Sequence, residues 1–184
     1  MVGWAWVVLW GGALAVPMTL LAAGHLVALP IAAAEPVEAQ TPAADLAVTH
    51  VLAGDCGCSI QVARWLADRD AVGADRVLWV GDDDPLVQQL TEAGYDVALT
   101  SGDDVFAEHG VVGTPCILVH DGDGQLRYRG GYAPRRPVSA GDLQDCDVVR
   151  RLAAGQATDA MPAFGCASYG PTRDRLDPLG LKAR

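Results

Sequence analysis

The stretch Leu46-Ala47-Val48-Thr49-His50-Val51-Leu52-Ala53-Gly54-Asp55-Cys56-Gly57-Cys58-Ser59 decides how this chain is read. A short apolar, β-compatible run is broken by Gly54-Asp55, and two thiols separated by one residue follow at once. Ser59 is suited to cap the next element, and Ile60, Ala63, Leu66 and Ala67 recur at helical spacing through Asp70. A strand therefore feeds a loop, and a helix begins at the thiols. Cysteines at such a junction can close a local disulfide and exchange it with a partner's thiols, because a helix N-terminus favours the thiolate. A structural or metal-bound pair is the competing reading of Cys56 and Cys58.

Downstream, Arg76-Val77-Leu78-Trp79-Val80 reads as a buried strand, Asp84 to Ala93 as a helix with Pro85 at its first position, and Val97-Ala98-Leu99 as another strand. Asp103 to His109 predicts a short helix. Gly113-Thr114-Pro115 then leads into the apolar run Cys116-Ile117-Leu118-Val119, a buried strand entered through a proline turn that can accommodate a cis bond. Asp121-Gly122-Asp123-Gly124 supplies a tight turn. Beyond it, Leu126 and Tyr128 alternate with Arg127 and Arg129, which makes an antiparallel hairpin. Asp145 to Ala154 is the last helix. Alternating β and α elements that finish in a hairpin and a helix predict an α/β fold with a mixed sheet covered on both faces.

Upstream, residues 1–34 hold no Asp, Glu, Lys or Arg, and this apolar stretch exceeds the roughly 20 residues needed to cross a bilayer. Trp4, Trp6 and Trp10 cluster at its start, where amphipathic rings favour the interface. The segment is expected to be a transmembrane anchor. A cleaved signal is the rival reading, with Ala32-Ala33-Ala34 offering a cleavage site but no basic region preceding the apolar run. Either way, the rest of the chain is exported. Residues 35–44, with Pro36 and Pro42, read as a linker, residues 45–158 as one domain and residues 159–184 as a C-terminal tail.

All 23 acidic and 13 basic residues lie beyond the anchor, so the exported part carries the formal charge of −10 and is a poor partner for nucleic acid. All five cysteines lie there as well, in a compartment where disulfides persist. Asp82-Asp83-Asp84 reads as a solvated helix start, and the Asp121–Gly124 turn lacks the later glutamate of a calcium loop; neither is taken as a metal site.

The order of elements, with a cysteine pair at the first strand-to-helix junction and Gly113-Thr114-Pro115 before the hairpin, resembles the thioredoxin superfamily over roughly residues 45 to 155. The Asp55-Cys56-Gly57-Cys58-Ser59 loop, the anchor, Cys146 and Gly165-Cys166 are more particular, and resemble membrane-tethered bacterial thioredoxin-like proteins with Cys-x-Cys-Ser loops. The resemblance implies a three-layer fold with a central mixed sheet. It also implies a cis-proline at Pro115, facing the cysteines and helping, with Thr114 and Gly57, to bind an extended partner peptide. Two departures stand out: one residue rather than two separates the cysteines, and Asp55 replaces the usual tryptophan. A tighter ring has poorer disulfide torsions, so oxidant or isomerase character is expected.

On this reading Cys56, near the loop tip, is the attacking thiolate and Cys58 resolves the mixed disulfide. His50, six residues before Cys56, stands where the superfamily often places a buried acid, and is a candidate for handling the resolving cysteine's proton; a hydrogen-bonded core histidine is the other reading. Cys116 is expected to be inert in the core. Cys146 and Cys166 flank the last helix and are candidates for a structural disulfide that staples the tail, with a second relay dithiol as the alternative. The expected activity is thiol–disulfide exchange with cysteine-containing exported proteins and a thiol redox partner, at the periplasmic side of a bacterial inner membrane, without a bound cofactor. The rivals are a copper-binding thioredoxin-like chaperone, since soft thiolates select Cu(I), and a non-catalytic interaction module.

Overall fold

In the computed structural model, which describes residues 6–15, 28–29, 45–69, 71, 75–137 and 139–176, the run around His50 is the central strand of a sheet. β1 (Ala47–Ala53) leads into α1 (Gly57–Ala67), β2 (Arg76–Val80), α2 (Pro85–Glu92), β3 (Asp96–Thr100) and α3 (Gly102–His109). The two-residue strand β4 (Gly113–Thr114) follows. Then come β5 (Cys116–His120), β6 (Leu126–Gly130), α4 (Asp145–Ala153), a second two-residue strand β7 (Cys166–Ala167) and α5 (Gly170–Leu176). The five-stranded sheet has the order β3-β2-β1-β5-β6. β1 pairs parallel with β2, and β2 with β3, whereas β5 runs antiparallel to β1 and β6 antiparallel to β5. This is an α/β fold with a mixed sheet.

Alternation along the strands divides the core into two layers. Leu52, Val77, Trp79, Ile117 and Val119 face α1, α2 and α4 and pack on Val62, Leu66, Leu90, Val148 and Leu152. Val51, Leu78, Cys116 and Leu118 face the other way and pack on Val105 of α3 and Val111. Because β1 is hydrogen-bonded on both edges, its C-terminal end is fixed at the middle of the sheet, and the loop with the thiols leaves from there. The hairpin turn is closed by the Asp121 N–H to Gln125 O and the Gly124 N–H to Asp121 O.

α1 starts earlier than Ser59 would dictate: Cys56 itself is the N-cap, with extended backbone, and Ser59 is buried in the first turn. Asp84 caps α2, accepting from the Leu86 N–H ahead of Pro85, and Ser101 caps α3, accepting from the Asp104 N–H.

Residues 6–15 are helical and expose Trp6, Val7, Val8, Leu9, Trp10 and Leu14. No helix among the described residues is long and apolar enough to cross a membrane. Apart from that stretch and residues 28–29, the expected span over residues 1–34 lies outside the described residues, as does the linker at 35–44. Leu29, within the segment read as anchor, is buried in the domain and its N–H donates to Ala163 O at 2.8 Å. Beyond the boundary expected at residue 158, Met161 to Ala167 packs back on the domain: the Met161 N–H donates to Tyr128 Oη, and β7 pairs with β4.

Candidate active site

Three short pieces converge at the end of β1. The first is Cys56, fixed as N-cap of α1, with the Cys56 C=O accepting from the Ile60 N–H at 2.9 Å. The second is Thr114-Pro115, joined by a cis peptide. The third is the tail, whose Cys166 lies directly opposite Thr114 in the β4–β7 register. The Cys56 thiol donates to Thr114 O at 3.6 Å. The sequence spacing of 58 residues between loop and proline is thus closed by one contact.

The tail strand comes very near. A side chain at Gly165 would collide with Thr114 O and stand 2.6 Å from Pro115 Cδ, so only glycine permits this approach. Hydrogen bonds pin the tail on both sides of Cys166. The Gly131 N–H donates to Met161 O and the Met161 N–H to Tyr128 Oη on one side; the Ser168 and Tyr169 N–H groups donate to Val112 O on the other. Tyr169 also stacks on Phe106 of α3, ring centroids 3.7 Å apart. As a result Cys56 is fully buried, 0 % exposed, while Cys58 is partly exposed. This reverses the sequence reading that placed Cys56 at the loop tip: N-cap geometry turns Cys56 inward and leaves Cys58, one position inside the helix, facing out.

The electrostatics single out one thiolate. A hydrogen bond from Cys166, a second from Cys58 and the Ser59 backbone N–H hold the Cys56 thiol well below its usual range, against the opposing effect of burial. Cys58 is raised, because its proton is held on Cys56 and because it is partly buried, with Arg136 acting in the opposite direction. Cys166 is raised by the same bond to Cys56 and by burial. The three thiols titrate as a unit in which one charge is shared among protonated neighbours. Cys116, fully buried behind the sheet, is pushed up to about 12 by burial.

The remaining sequence-predicted residues fall into place. His50 is buried in β1, but its Nδ1 faces Tyr132 Oη at 2.8 Å and its Nε2 faces Asp75 at 4.0 Å. Its ring stacks on Tyr132 and meets Tyr95 edge-on, so its partners are aromatic and carboxylate groups rather than either thiol. Gly57 and Pro115 line a shallow cleft beside Cys58, with Gln61, Trp65, Arg136 and Phe164. Cys146 and Cys166 are not bonded. Cys146 is exposed on α4 and accepts from Arg69 Nη1 at 3.4 Å, whereas the β4–β7 pairing carries Cys166 to Cys56. The expected staple is therefore corrected to a third thiol at the site. Sequence reasoning offered Cys166 as half of a staple or relay dithiol with Cys146 and not as the neighbour of Cys56, and it did not single out Arg136, in Arg135-Arg136 between prolines, as a site residue. The hairpin arginines are held elsewhere: Arg127 pairs with Asp121, and Arg129 donates to His109 O.

Among the described residues no group of three or more His, Cys, Asp or Glu is arranged to hold a metal ion.

No protein-family model matches the chain, and no curated protein matches it. Two solved structures are similar in fold. An uncharacterized conserved protein from Geobacillus kaustophilus is 15% identical with a TM-score of 0.53, covering 70% of this chain and 79% of its own. A hypothetical protein from Sinorhizobium meliloti 1021 is 16% identical with a TM-score of 0.51, covering 72% and 82%. At such identity the likeness is one of α/β architecture with a mixed sheet.

Proposed function

We infer that this protein is a thioredoxin-like thiol–disulfide oxidoreductase, tethered to a bacterial inner membrane with its domain on the extracytoplasmic side, and that it acts on cysteine-containing exported proteins. One observation carries this reading: the Cys56 sulfur, at the N-terminus of α1, lies against the carbonyl of the cis Thr114–Pro115 pair with hydrogen-bond donors arranged around it. The mixed sheet order and the two-layer core support the thioredoxin-like assignment. The uncharged residues 1–28 support the tether, Leu29 being already buried in the domain.

The chemistry follows from the charge distribution. Cys56 as thiolate attacks one sulfur of a partner disulfide; the partner's other sulfur leaves as thiolate and takes a proton. A protonated site thiol then surrenders its proton to the second partner sulfur and attacks Cys56, leaving a disulfide in the domain and a dithiol in the partner. Stabilising the Cys56 thiolate stabilises the reduced domain, which makes the domain's disulfide the stronger oxidant. Run in reverse, the same steps place a disulfide in an exported protein. Because Cys56 is covered by the tail, the tail must lift before a partner is reached.

The test is exchange with a small dithiol by the full chain and by Cys56→Ser, beside a Cu(I) titration of both. Loss of exchange in Cys56→Ser, with no difference in copper affinity, is expected. Tight Cu(I) binding lost with Cys56, in a protein that never exchanged disulfides, would establish the copper chaperone instead.

A further inference from the structure

We propose that Cys166, not Cys58, is the thiol that closes the first intramolecular disulfide with Cys56, so that oxidation bonds the tail strand over the site. This rests on the redox reading of Cys56 and adds its partner. Cys56 is the N-cap of α1, and Cys58, two positions on, stands at the partly exposed edge of the site. Cys58 is accordingly turned toward the outer cleft with Gly57, Gln61 and Arg136. Cys166 instead arrives from across the site. It lies opposite Thr114, whose carbonyl receives the Cys56 thiol at 3.6 Å, in an antiparallel pair. Cys56 and Cys166 thus come to the same residue, Thr114, from two different segments. The position is held by Gly165, which admits no side chain against Thr114 and Pro115, and by the backbone bonds on both sides of β7. Of the two neighbouring thiols, Cys166 has the larger part in favouring the Cys56 thiolate.

The step balances. A partner disulfide is opened by the Cys56 thiolate, giving a Cys56–partner bond and one partner thiol. Cys166 then attacks the Cys56 sulfur, its proton passing to the departing second partner sulfur. The Cys56–Cys166 bond forms, the Cys56–partner bond breaks, and two electrons have moved from the site to the partner. Cys58 remains a free thiol in the cleft with Arg136.

Disulfide mapping of the full chain decides this. Reduced protein is treated with oxidised glutathione, quenched in acid, blocked with N-ethylmaleimide and digested without reduction for mass spectrometry. The expected result is a peptide containing Cys166 covalently joined to the peptide containing Cys56, in the unmodified chain and in Cys58→Ala, and absent in Cys56→Ser. In Cys166→Ser, the glutathione adduct on Cys56 should accumulate. Recovery of Cys166 as the blocked thiol in the unmodified chain, with Cys56 bonded to Cys58 or to glutathione, overturns the proposal while leaving the redox reading intact. A Cys56 that takes up no disulfide at all overturns both. The unmodified chain alone distinguishes these outcomes even if Cys58→Ala does not fold.

Discussion

Cys56 sits where burial and hydrogen bonding oppose each other, and the donors prevail. Its thiolate is held by Cys166, Cys58 and a helix N–H, so its pKa is lowered from the ordinary 9.0, while those of Cys58 and Cys166 are raised. The sign follows by linkage. The lowered group adds stability to the reduced fold that grows as pH rises toward 9.0 and is lost as pH falls through the folded value. The two raised groups withdraw stability above 9.0. Reduced protein should therefore keep a far-ultraviolet thiolate absorbance well into acid that is absent from Cys56→Ser, and its melting temperature should decline on the alkaline side. An absorbance that titrates near 9.0 in both proteins would contradict this. His50 gives the complementary case. With Tyr132 as its hydrogen-bond partner, Tyr132→Phe should cost about 1–2 kcal/mol in denaturant unfolding, the penalty of an orphaned buried group, and leave exchange with a small dithiol unchanged. A large fall in exchange would restore a catalytic part for His50.

Among the elements, the two-residue strand β7 has the greatest consequence. A helix of eleven residues positions Cys56, but β7 decides whether anything reaches it. Gly165→Val would drive a side chain into Thr114 O and Pro115. Such overpacking costs roughly 1–3 kcal/mol, and since each 1.4 kcal/mol is a factor of about ten in an opening equilibrium, labelling of Cys56 by a small thiol reagent should accelerate about tenfold or more. No acceleration would mean that the tail is not the cover. α4 depends on a different device: Asp145, buried in its first turn, receives Arg69 from the far end of α1, and Arg69 also donates to Tyr95 Oη at 3.3 Å. Asp145→Ala leaves that guanidinium without its carboxylate, and a loss of about 2 kcal/mol in unfolding free energy is expected.

At the scale of the molecule, segments distant in sequence meet at one place. Leu29 packs against Gly113, and its backbone pairs with Ala163, so chain that precedes the expected linker closes over the same strand pair that carries Cys166. Leu29→Ala should lower the melting temperature by the equivalent of about 2–5 kcal/mol, the range for truncating a buried leucine. It should also speed Cys56 labelling. A variant indistinguishable from the parent would show that Leu29 is no part of the domain. Leu29 and the tail strand that covers Cys56 are thus physically joined.

Local pattern alone was enough to specify β1, the start of a helix at the thiols, the hairpin turn at Asp121–Gly124 and the mixed α/β order, because each rests on periodicity, capping or turn chemistry written in adjacent residues. That Pro115 faces Cys56 was an expectation of the thioredoxin resemblance, not of local pattern. The further contacts of the site were legible in neither. Which thiol faces Cys56, which residues claim His50, and whether the loop is open to solvent depend on β4 meeting β7 across 52 residues, through a bridge too short to leave any periodic trace. Only the packing of the folded chain decides such encounters, since a two-residue strand gains its stability from the surfaces that hold it and not from its own sequence.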